Sequence, residues 1–272
     1  MRNALSLVAV GLLASACGGA IDSDSELDPD SVDIEMPNGE LSPQIIGTQR
    51  SAAAYSEAVM VKVNNSANDF CSGTVIAPYV VMTAAHCIVF NGGPNGAGTG
   101  TWTITAQFTA TGTQVRTARG GEPMDAAFWN LTRYDYESHP ELHDIGLVYL
   151  DTPFTGITFP KLSSVPYPAS TKRSPVYVSA VGRQTSSATA GLVLSMRTAL
   201  DYPTAKDNER YCAKTTRLTG GGDSGGPIFI DGTHNLVGTE ALFKSNKDYW
   251  TRIDLAYAFI DARVHAHGGW GV

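Results

Sequence analysis

A chain of 272 residues can bury a sizeable core, as one large domain or as two small ones. With 43% apolar and 17% charged residues, its composition is that of an ordinary globular protein. The net charge of −7 arises in residues 18–44, which hold eight acids and no Lys or Arg, whereas residues 45–272 hold 18 acids and 18 Lys plus Arg. The globular part has no excess of basic residues, so nucleic acid is not an expected partner.

The N-terminus has the pattern of an export signal. Arg2 precedes a short apolar run, Ala4–Leu13, and residues 14–16 form a small-residue cleavage site. The run is too short to span a bilayer. Residues 1–16 are therefore predicted to be a signal peptide of an exported protein.

Cys17 follows the cleavage site directly and looks like the lipid-bearing cysteine of bacterial lipoproteins, although Ala14 stands where leucine is usual. We expect a lipid on Cys17. The alternative is plain cleavage of the signal, with no lipid.

Residues 17–44 are acidic, contain three prolines and lack aromatic residues, which is typical of a disordered tether or pro-segment. From Ile45 onward the pattern changes to short strands with turn punctuation. The predicted strands are 58–63, 73–76, 80–83, 101–108, 114–118, 145–150, 176–181, 192–199, 227–230, 235–240 and 249–252. Apolar spacing predicts a helix from Ile253 to His265, and the stretches 91–100 and 122–130 are predicted to be surface loops.

Three short motifs carry residues suited to nucleophilic catalysis. Ser224 lies within the glycine-rich run 221–226, which lets a substrate backbone approach closely. A serine hydroxyl needs a base at neutral pH, and His86 in Thr-Ala-Ala-His-Cys can take and return a proton. Asp144 in His-Asp-Ile-Gly-Leu would hold the other ring nitrogen. Each motif alone has a structural alternative, a turn or a packed histidine, but the three together favour a catalytic site.

In the order His86, Asp144, Ser224, these motifs resemble the chymotrypsin/trypsin-like serine proteases. The resemblance implies an all-β fold of two packed antiparallel six-stranded β-barrels, over roughly 45–155 and 156–252, followed by a C-terminal helix at 253–267. It also implies an oxyanion hole formed by the backbone N–H groups of Gly222 and Ser224.

The same resemblance implies a disulfide between Cys71 and Cys87. Cys212 has no upstream partner at the position the family uses, and it is predicted to be a free, buried thiol. No His-Glu-x-x-His occurs, and neither a metal nor a cofactor is expected.

The residues that match the family's specificity pocket differ from those of trypsin-like members. Leu218 occupies its base where those members carry Asp, and an apolar base disfavours a buried cation. Ala241 replaces a serine that supports the catalytic aspartate, and Phe243 replaces a glycine at the pocket mouth. Asp248 would restore a preference for Arg or Lys if it pointed inward. The apolar Leu218, weighed against Asp248, narrowly favours substrates with an uncharged residue before the scissile bond.

Ile45-Ile46-Gly47-Thr48 resembles the mature N-terminus of the family. The resemblance implies a zymogen that is cleaved between Gln44 and Ile45, after which the new α-ammonium pairs with Asp223. Without that partner, the loop 218–224 is expected to be poorly ordered. Gln44 is not basic, so a trypsin-like protease is not expected to perform the activating cleavage. The alternative is an ordinary buried strand at Ile45.

The sequence thus predicts a secreted or lipid-anchored, monomeric serine endopeptidase acting on polypeptides and activated by an unidentified protease. Two alternatives stay open: an inactive protease homologue that serves as a binding module, and a structural lipoprotein of the cell envelope.

Overall fold

The computed structural model of the chain describes residues 45–63, 70–89, 100–131, 138–139, 141–183, 191–202, 209–214, 217–244 and 246–271. The predicted signal peptide and the whole acidic segment 17–44, with Cys17, lie outside these residues. So does nearly all of the predicted loop 91–100. Among the described residues, no helix is long and apolar enough to cross a membrane.

Six strands close the first barrel in the order β2-β3-β4-β7-β6-β5, and every pairing is antiparallel. Alternate residues of these strands turn inward, as in β5, where Trp102, Ile104 and Ala106 are fully buried. The strands are β2 Ala58–Val63, β3 Phe70–Ala77, β4 Val80–Thr83, β5 Thr101–Thr109, β6 Gly112–Pro123 and β7 Gly146–Leu150.

The second barrel closes in the order β9-β11-β12-β15-β14-β13, because β13 also pairs with β9. Its strands are β9 Tyr177–Arg183, β11 Thr198–Asp201, β12 Arg210–Ala213, β13 Pro227–Ile230, β14 Asn235–Lys244 and β15 Lys247–Arg252. Three short strands lie at its margins: β1 Arg50–Ser51, β8 Lys161–Leu162 and β10 Leu192–Leu194. The expected fold of two antiparallel six-stranded barrels is confirmed.

The described residues include two α-helices and a 3₁₀ helix of five residues. The short α1, Ala85–Val89, follows β4 directly, and a 3₁₀ helix spans Ala126–Asn130 within the stretch predicted to be an irregular loop. The predicted C-terminal helix is present as α2, Ile253–Ala266. Its apolar residues pack against both barrels, in a core that includes Met82 of the first barrel and Phe229 of the second. This shared core fixes one barrel against the other and so fixes the junction between them.

One predicted strand is divided in the structure, and others, such as β6 and β14, are longer than predicted. Residues 192–199 form two strands, β10 and β11, which pair with different parts of β9. Between them Ser195 bonds Ala180 twice: its N–H donates to the Ala180 carbonyl at 2.9 Å, and its Oγ accepts the Ala180 N–H at 3.0 Å. At Ser195 the chain passes from one part of β9 to another, and the regular strand pairing is interrupted there.

Candidate active site

His86 and Asp144 are brought together by adjacent strands of the first barrel. Thr83 at the end of β4 is paired with Gly146 at the start of β7. Residues just after β4 and just before β7 therefore lie at the same end of the barrel. His86 is on α1, three residues beyond Thr83, and Asp144 comes two residues before Gly146.

The two side chains form a direct, well-oriented pair. His86 Nδ1 lies 2.7 Å from Asp144 Oδ2, and the His86 backbone N–H donates to Asp144 Oδ1 at 3.0 Å. The Asp144 side chain is fully buried, whereas that of His86 is 13% exposed. A carboxylate at Nδ1 holds the proton on that nitrogen, so Nε2 is left as the nitrogen that exchanges protons with a neighbouring hydroxyl.

Ser224 reaches the same junction on the loop between β12 and β13 of the second barrel. Its carbonyl accepts a hydrogen bond from the Ser72 N–H of β3 at 2.8 Å. Gly225 allows this approach: a Cβ there would lie 2.1 Å from Thr83 Oγ1 and 2.5 Å from the Ala84 nitrogen, and its φ is +80°. Only glycine avoids both the clash and the strain. The loop of Ser224 therefore rests on the residues that lead into His86.

Gly222 adopts the conformation that its neighbours require. Its φ is +86°, in the left-handed region that disfavours a side chain. Its carbonyl accepts a hydrogen bond from Ser72 Oγ at 3.1 Å, and Ser72 is fully buried. The peptide after Gly222 is therefore fixed by the first barrel. Ser72 was missed by the sequence reasoning, because a serine beside Cys71 carries no motif of its own.

Ile45 and Asp223 meet inside the second barrel. Ile45 is 1% exposed, its N–H donates to the Arg183 carbonyl at 3.1 Å, and the Ile46 N–H donates to the Leu218 carbonyl at 2.7 Å. A Cβ on Gly182 would lie 2.3 Å from Asp223 Oδ1 and 2.9 Å from Ile45 Cδ1, so both side chains contact that glycine. Ile45 is buried but is not in a strand, since β1 begins only at Arg50.

Asp223 is 1% exposed. Its Oδ1 accepts the Arg183 N–H at 2.8 Å and its Oδ2 accepts the Gly220 N–H at 3.0 Å. Burial raises the pKa of Asp223 to about 8, although these two hydrogen bonds favour the ionised form. In the folded chain, the cost of burying an ionised Asp223 thus outweighs these hydrogen bonds and the attraction of the Arg183 guanidinium.

The residues matched to the specificity pocket surround the same loop. Leu218 is 4% exposed, and Asp248 is fully buried and points at the loop: its Oδ2 accepts the Leu218 N–H at 2.5 Å. Ala241 is buried and brings no hydroxyl toward Asp144. Phe243 is half-buried and lies under the guanidinium of Arg217, whose carbon is 3.3 Å from the ring centre. The side chains of Phe243 and Arg217 thus cover the position that matches the mouth of the family's specificity pocket.

Glu240 lies beside the loop of Ser224 and was missed by the sequence reasoning. It lies on β14, and its backbone is bonded to the two residues after Ser224: the Gly225 N–H donates to the Glu240 carbonyl at 2.8 Å, and the Glu240 N–H donates to the Gly226 carbonyl at 2.9 Å. An acid inside the apolar stretch 236–242 was the available signal.

The Cys71–Cys87 disulfide is present and ties β3 to the helix that carries His86. Cys212 is buried on β12 and is disulfide-bonded, so the prediction of a free thiol is wrong. Its partner lies outside the described residues. Within the described part of the chain, the group of potential metal ligands with suitable spacing is Cys71, Cys87 and His86. Two of these are sulfurs bonded to each other, and a disulfide sulfur does not replace a thiolate ligand.

Comparison with known proteins agrees with this geometry. The family model described as Trypsin matches residues 45–248. The chain belongs to the Trypsin family. No curated protein matches it.

Solved structures of trypsin-like proteins share the fold at low sequence identity. Human heparin binding protein has a TM-score of 0.59 at 16% identity, over 84% of this chain and 100% of that one. Neuropsin, a serine protease expressed in the limbic system of mouse brain, has a TM-score of 0.59 at 15% identity, over 80% and 99%. The VesB protease of Vibrio cholerae has a TM-score of 0.57 at 14% identity, over 81% and 67%. At these identities the likeness shows the fold alone.

Proposed function

We propose that the protein is a serine endopeptidase in which His86, Asp144 and Ser224 form the catalytic triad. The observation that carries the proposal is the 2.7 Å contact between His86 Nδ1 and Asp144 Oδ2, at a junction where the loop of Ser224 is packed on the strand leading to His86. A buried carboxylate, an imidazole and a serine hydroxyl in this order form a charge-stabilised base and its nucleophile.

In the proposed reaction the Ser224 hydroxyl attacks the carbonyl carbon of a peptide bond while His86 Nε2 accepts its proton. Asp144 stabilises the imidazolium that forms. The N–H groups of Gly222 and Ser224 donate to the oxygen as it gains negative charge. His86 then protonates the leaving amine, and an acyl-enzyme on Ser224 remains. Water hydrolyses this ester by the same proton transfers in reverse.

The test is peptide hydrolysis and labelling by a fluorophosphonate probe, with protein that begins at Ile45. Ser224→Ala and His86→Ala are each expected to lower kcat by at least about 10⁴-fold, and the double variant by little more, because the groups act as a unit. Ser164→Ala and His265→Ala are matched controls, since both side chains are exposed and lie on the surface. Equal hydrolysis by Ser224→Ala would overturn the proposal, and it would leave a binding or structural role as the alternative.

We propose further that the chain is made as a zymogen and activated by cleavage between Gln44 and Ile45. The burial of Ile45 beside Asp223 supports this, because a new α-ammonium at Ile45 would supply the counter-charge that Asp223 lacks. The activating protease is a separate, unidentified enzyme. N-terminal sequencing of active protein tests the idea: the expected start is Ile45, and full activity with a start upstream would contradict it.

For localisation we propose export, with residues 1–16 removed; the Cys71–Cys87 disulfide agrees with an oxidising compartment. A lipid on Cys17 would tether the precursor through 17–44 to a membrane, and cleavage before Ile45 would release a monomeric protease. Mass spectrometry of the precursor tests the lipid: a peptide that begins at Cys17 and carries the mass of a lipid is expected, and an unmodified Cys17 would contradict the proposal.

A further inference from the structure

We propose that the acidic segment 17–44 docks in a basic cleft beside the second barrel, with the carboxylate of Glu40 placed against Arg197 and Arg217. The basic cleft is lined by these two arginines and by Ile46 and Met196, among others. The inference concerns an interaction surface and requires no catalysis, so it goes beyond the proposed protease function. The occupant is the segment of this chain that joins the folded part next to the cleft.

The basic cleft has an apolar floor that is open to solvent. Its volume is about 200 Å³, and it lies between the residues after Ile45, the start of β11 and the loop that leads to Gly222. Ile46 is 37% exposed and Met196 is 44% exposed, although most large apolar side chains of the described residues are buried. Apolar side chains that are exposed together, and bordered by polar groups, are typical of a binding surface.

Arg197 gives the cleft a positive charge that is held in place. It is exposed, and its guanidinium carbon lies 4.4 Å from the centre of the Tyr177 ring, which is itself 38% exposed. One carboxylate that the Arg197 charge reaches, Asp231, is already bonded by Arg50 Nη2 at 2.7 Å. The stacked guanidinium therefore keeps donors that can bind a further carboxylate.

The course of the chain brings the acidic segment to the same place. The Ile46 N–H donates to the Leu218 carbonyl at 2.7 Å. Arg217 directly precedes Leu218, and its Nε donates to the Thr219 carbonyl at 2.8 Å. The chain before Ile45 thus joins the folded part beside Arg217. Because the cleft begins at Ile46, the end of the segment needs to reverse direction only once to lie in it.

The sequence of the segment fits this cleft in charge and in spacing. Residues 18–44 hold eight acids and no Lys or Arg. Pro43 is the second residue of the stretch 42–45, a position where proline favours a β-turn. Glu40 and Leu41 come directly before that turn, and five extended residues reach about 17 Å from Ile45. A carboxylate followed by an apolar side chain matches two arginines beside an apolar floor.

Arginine modification of the precursor tests the docking. In Ser224→Ala protein comprising residues 17–272, phenylglyoxal reacts with exposed guanidinium groups, and mass spectrometry gives the rate at each arginine. The comparison protein has three acids of the segment replaced by amides: Asp33→Asn, Glu35→Gln and Glu40→Gln. We expect Arg197 to react at least about fivefold more slowly in the precursor than in the comparison protein, because a short tether supplies a millimolar effective concentration.

Two further measurements separate docking in the cleft from a general effect of charge. Arg119, whose side chain is 73% exposed on the first barrel, should react at the same rate in both proteins. Raising NaCl from about 0.05 M to about 0.5 M should remove most of the protection of Arg197, because salt screens exposed charges. Met196→Ser should weaken the protection by about half through lost apolar contact, whereas Val115→Ser, at an apolar position 55% exposed on the first barrel, should not.

Equal reaction of Arg197 in the precursor and the comparison protein would overturn the proposal. Protection that rises with protein concentration, together with a dimer in sedimentation velocity, would make a second copy of the chain the occupant and would also overturn it. Urea unfolding checks that each variant folds, and if Met196→Ser does not fold, the comparison protein alone decides. None of these measurements uses hydrolysis, so the proposed protease function can fail while the docking stands, and the reverse.

Discussion

The stability of the uncut chain should fall as pH rises, and Asp223 is the group that we expect to cause it. Burial raises the pKa of Asp223 from 3.8 to about 8. Between these values the folded chain holds a proton that the unfolded chain has released. Unfolding therefore becomes easier with rising pH across this interval. The full interval corresponds to about 6 kcal/mol of unfolding free energy, which is an upper limit for one group.

Cleavage before Ile45 should remove most of this dependence. The new α-ammonium is charged below about pH 8 and would pair with the Asp223 carboxylate, which lowers the pKa of that carboxyl again. The Arg183 guanidinium takes this role only in part: it lies against the Phe70 ring, 4.2 Å from its centre, and its attraction for Asp223 is outweighed by the burial that raises the pKa of Asp223. The predicted contrast is a steep fall in stability for the uncut chain and a shallow one for the cut chain.

The assay is urea unfolding followed by tryptophan fluorescence between pH 4.5 and pH 8. Ser224→Ala protein prevents self-digestion, and a cleavage sequence for an added protease placed directly before Ile45 yields both forms. The control is the same pair of forms carrying Asp223→Asn. Subtracting the unfolding free energies of the control forms at each pH cancels the contributions of Glu240 and Asp248. If the uncut chain loses as much stability with Asn at position 223 as with Asp, the reasoning is refuted.

Three further substitutions test how the two barrels are joined at the site. Removing both Cys71 and Cys87 by substitution with alanine should lower the unfolding free energy by about 3 kcal/mol, measured in urea, because the disulfide closes a loop of sequence separation 16. Ser72→Ala should lower kcat about fivefold at unchanged KM, since only the hydrogen bond to the Gly222 carbonyl is lost; a rise in KM alone would contradict this. Gly225→Ala should abolish activity and cost more stability than Gly232→Ala, because both have a positive φ but only position 225 lacks room for a Cβ; equal losses would show that strain alone matters.

The sequence predicts a strand well where apolar residues run together, whatever its length. Strands 58–63, 80–83 and 227–230 agree with the structure at both ends. β12, Arg210–Ala213, was missed because four residues with a charged first position show no period. Its burial depends on β11 and β15, which are distant in sequence. The division of 192–199 also depends on such a distant partner, β9.

The residues of the candidate site differ in the same respect: some are identified from local sequence motifs, and others only from the tertiary structure. His86, Asp144 and Ser224 stand in local motifs, and these can be read without knowing the fold. Glu240 and Ser72 act through neighbours that only the tertiary structure supplies: Asp248 across β14 and β15, and the Gly222 carbonyl across the junction of the barrels. In the sequence Glu240 is marked only as an acid inside an apolar stretch, and Ser72 stands in no motif, so what either side chain does depends on what surrounds it in the fold.

Four buried carboxyls surround Ser224, and each needs a different partner. Asp144 has the His86 imidazole within the folded chain. Asp223 accepts hydrogen bonds from two backbone N–H groups, and under the proposed activation an α-ammonium at Ile45 would join them. Glu240 is buried beside Thr219, Trp250 and Asp248, and Asp248 is held by the loop 218–219. If the proposed cleavage supplies the missing cation, the desolvation that raises the pKa of Asp223 would make an ordered active site depend on that cleavage. Burial of Asp223 would then be the physical basis for keeping the proposed precursor inactive.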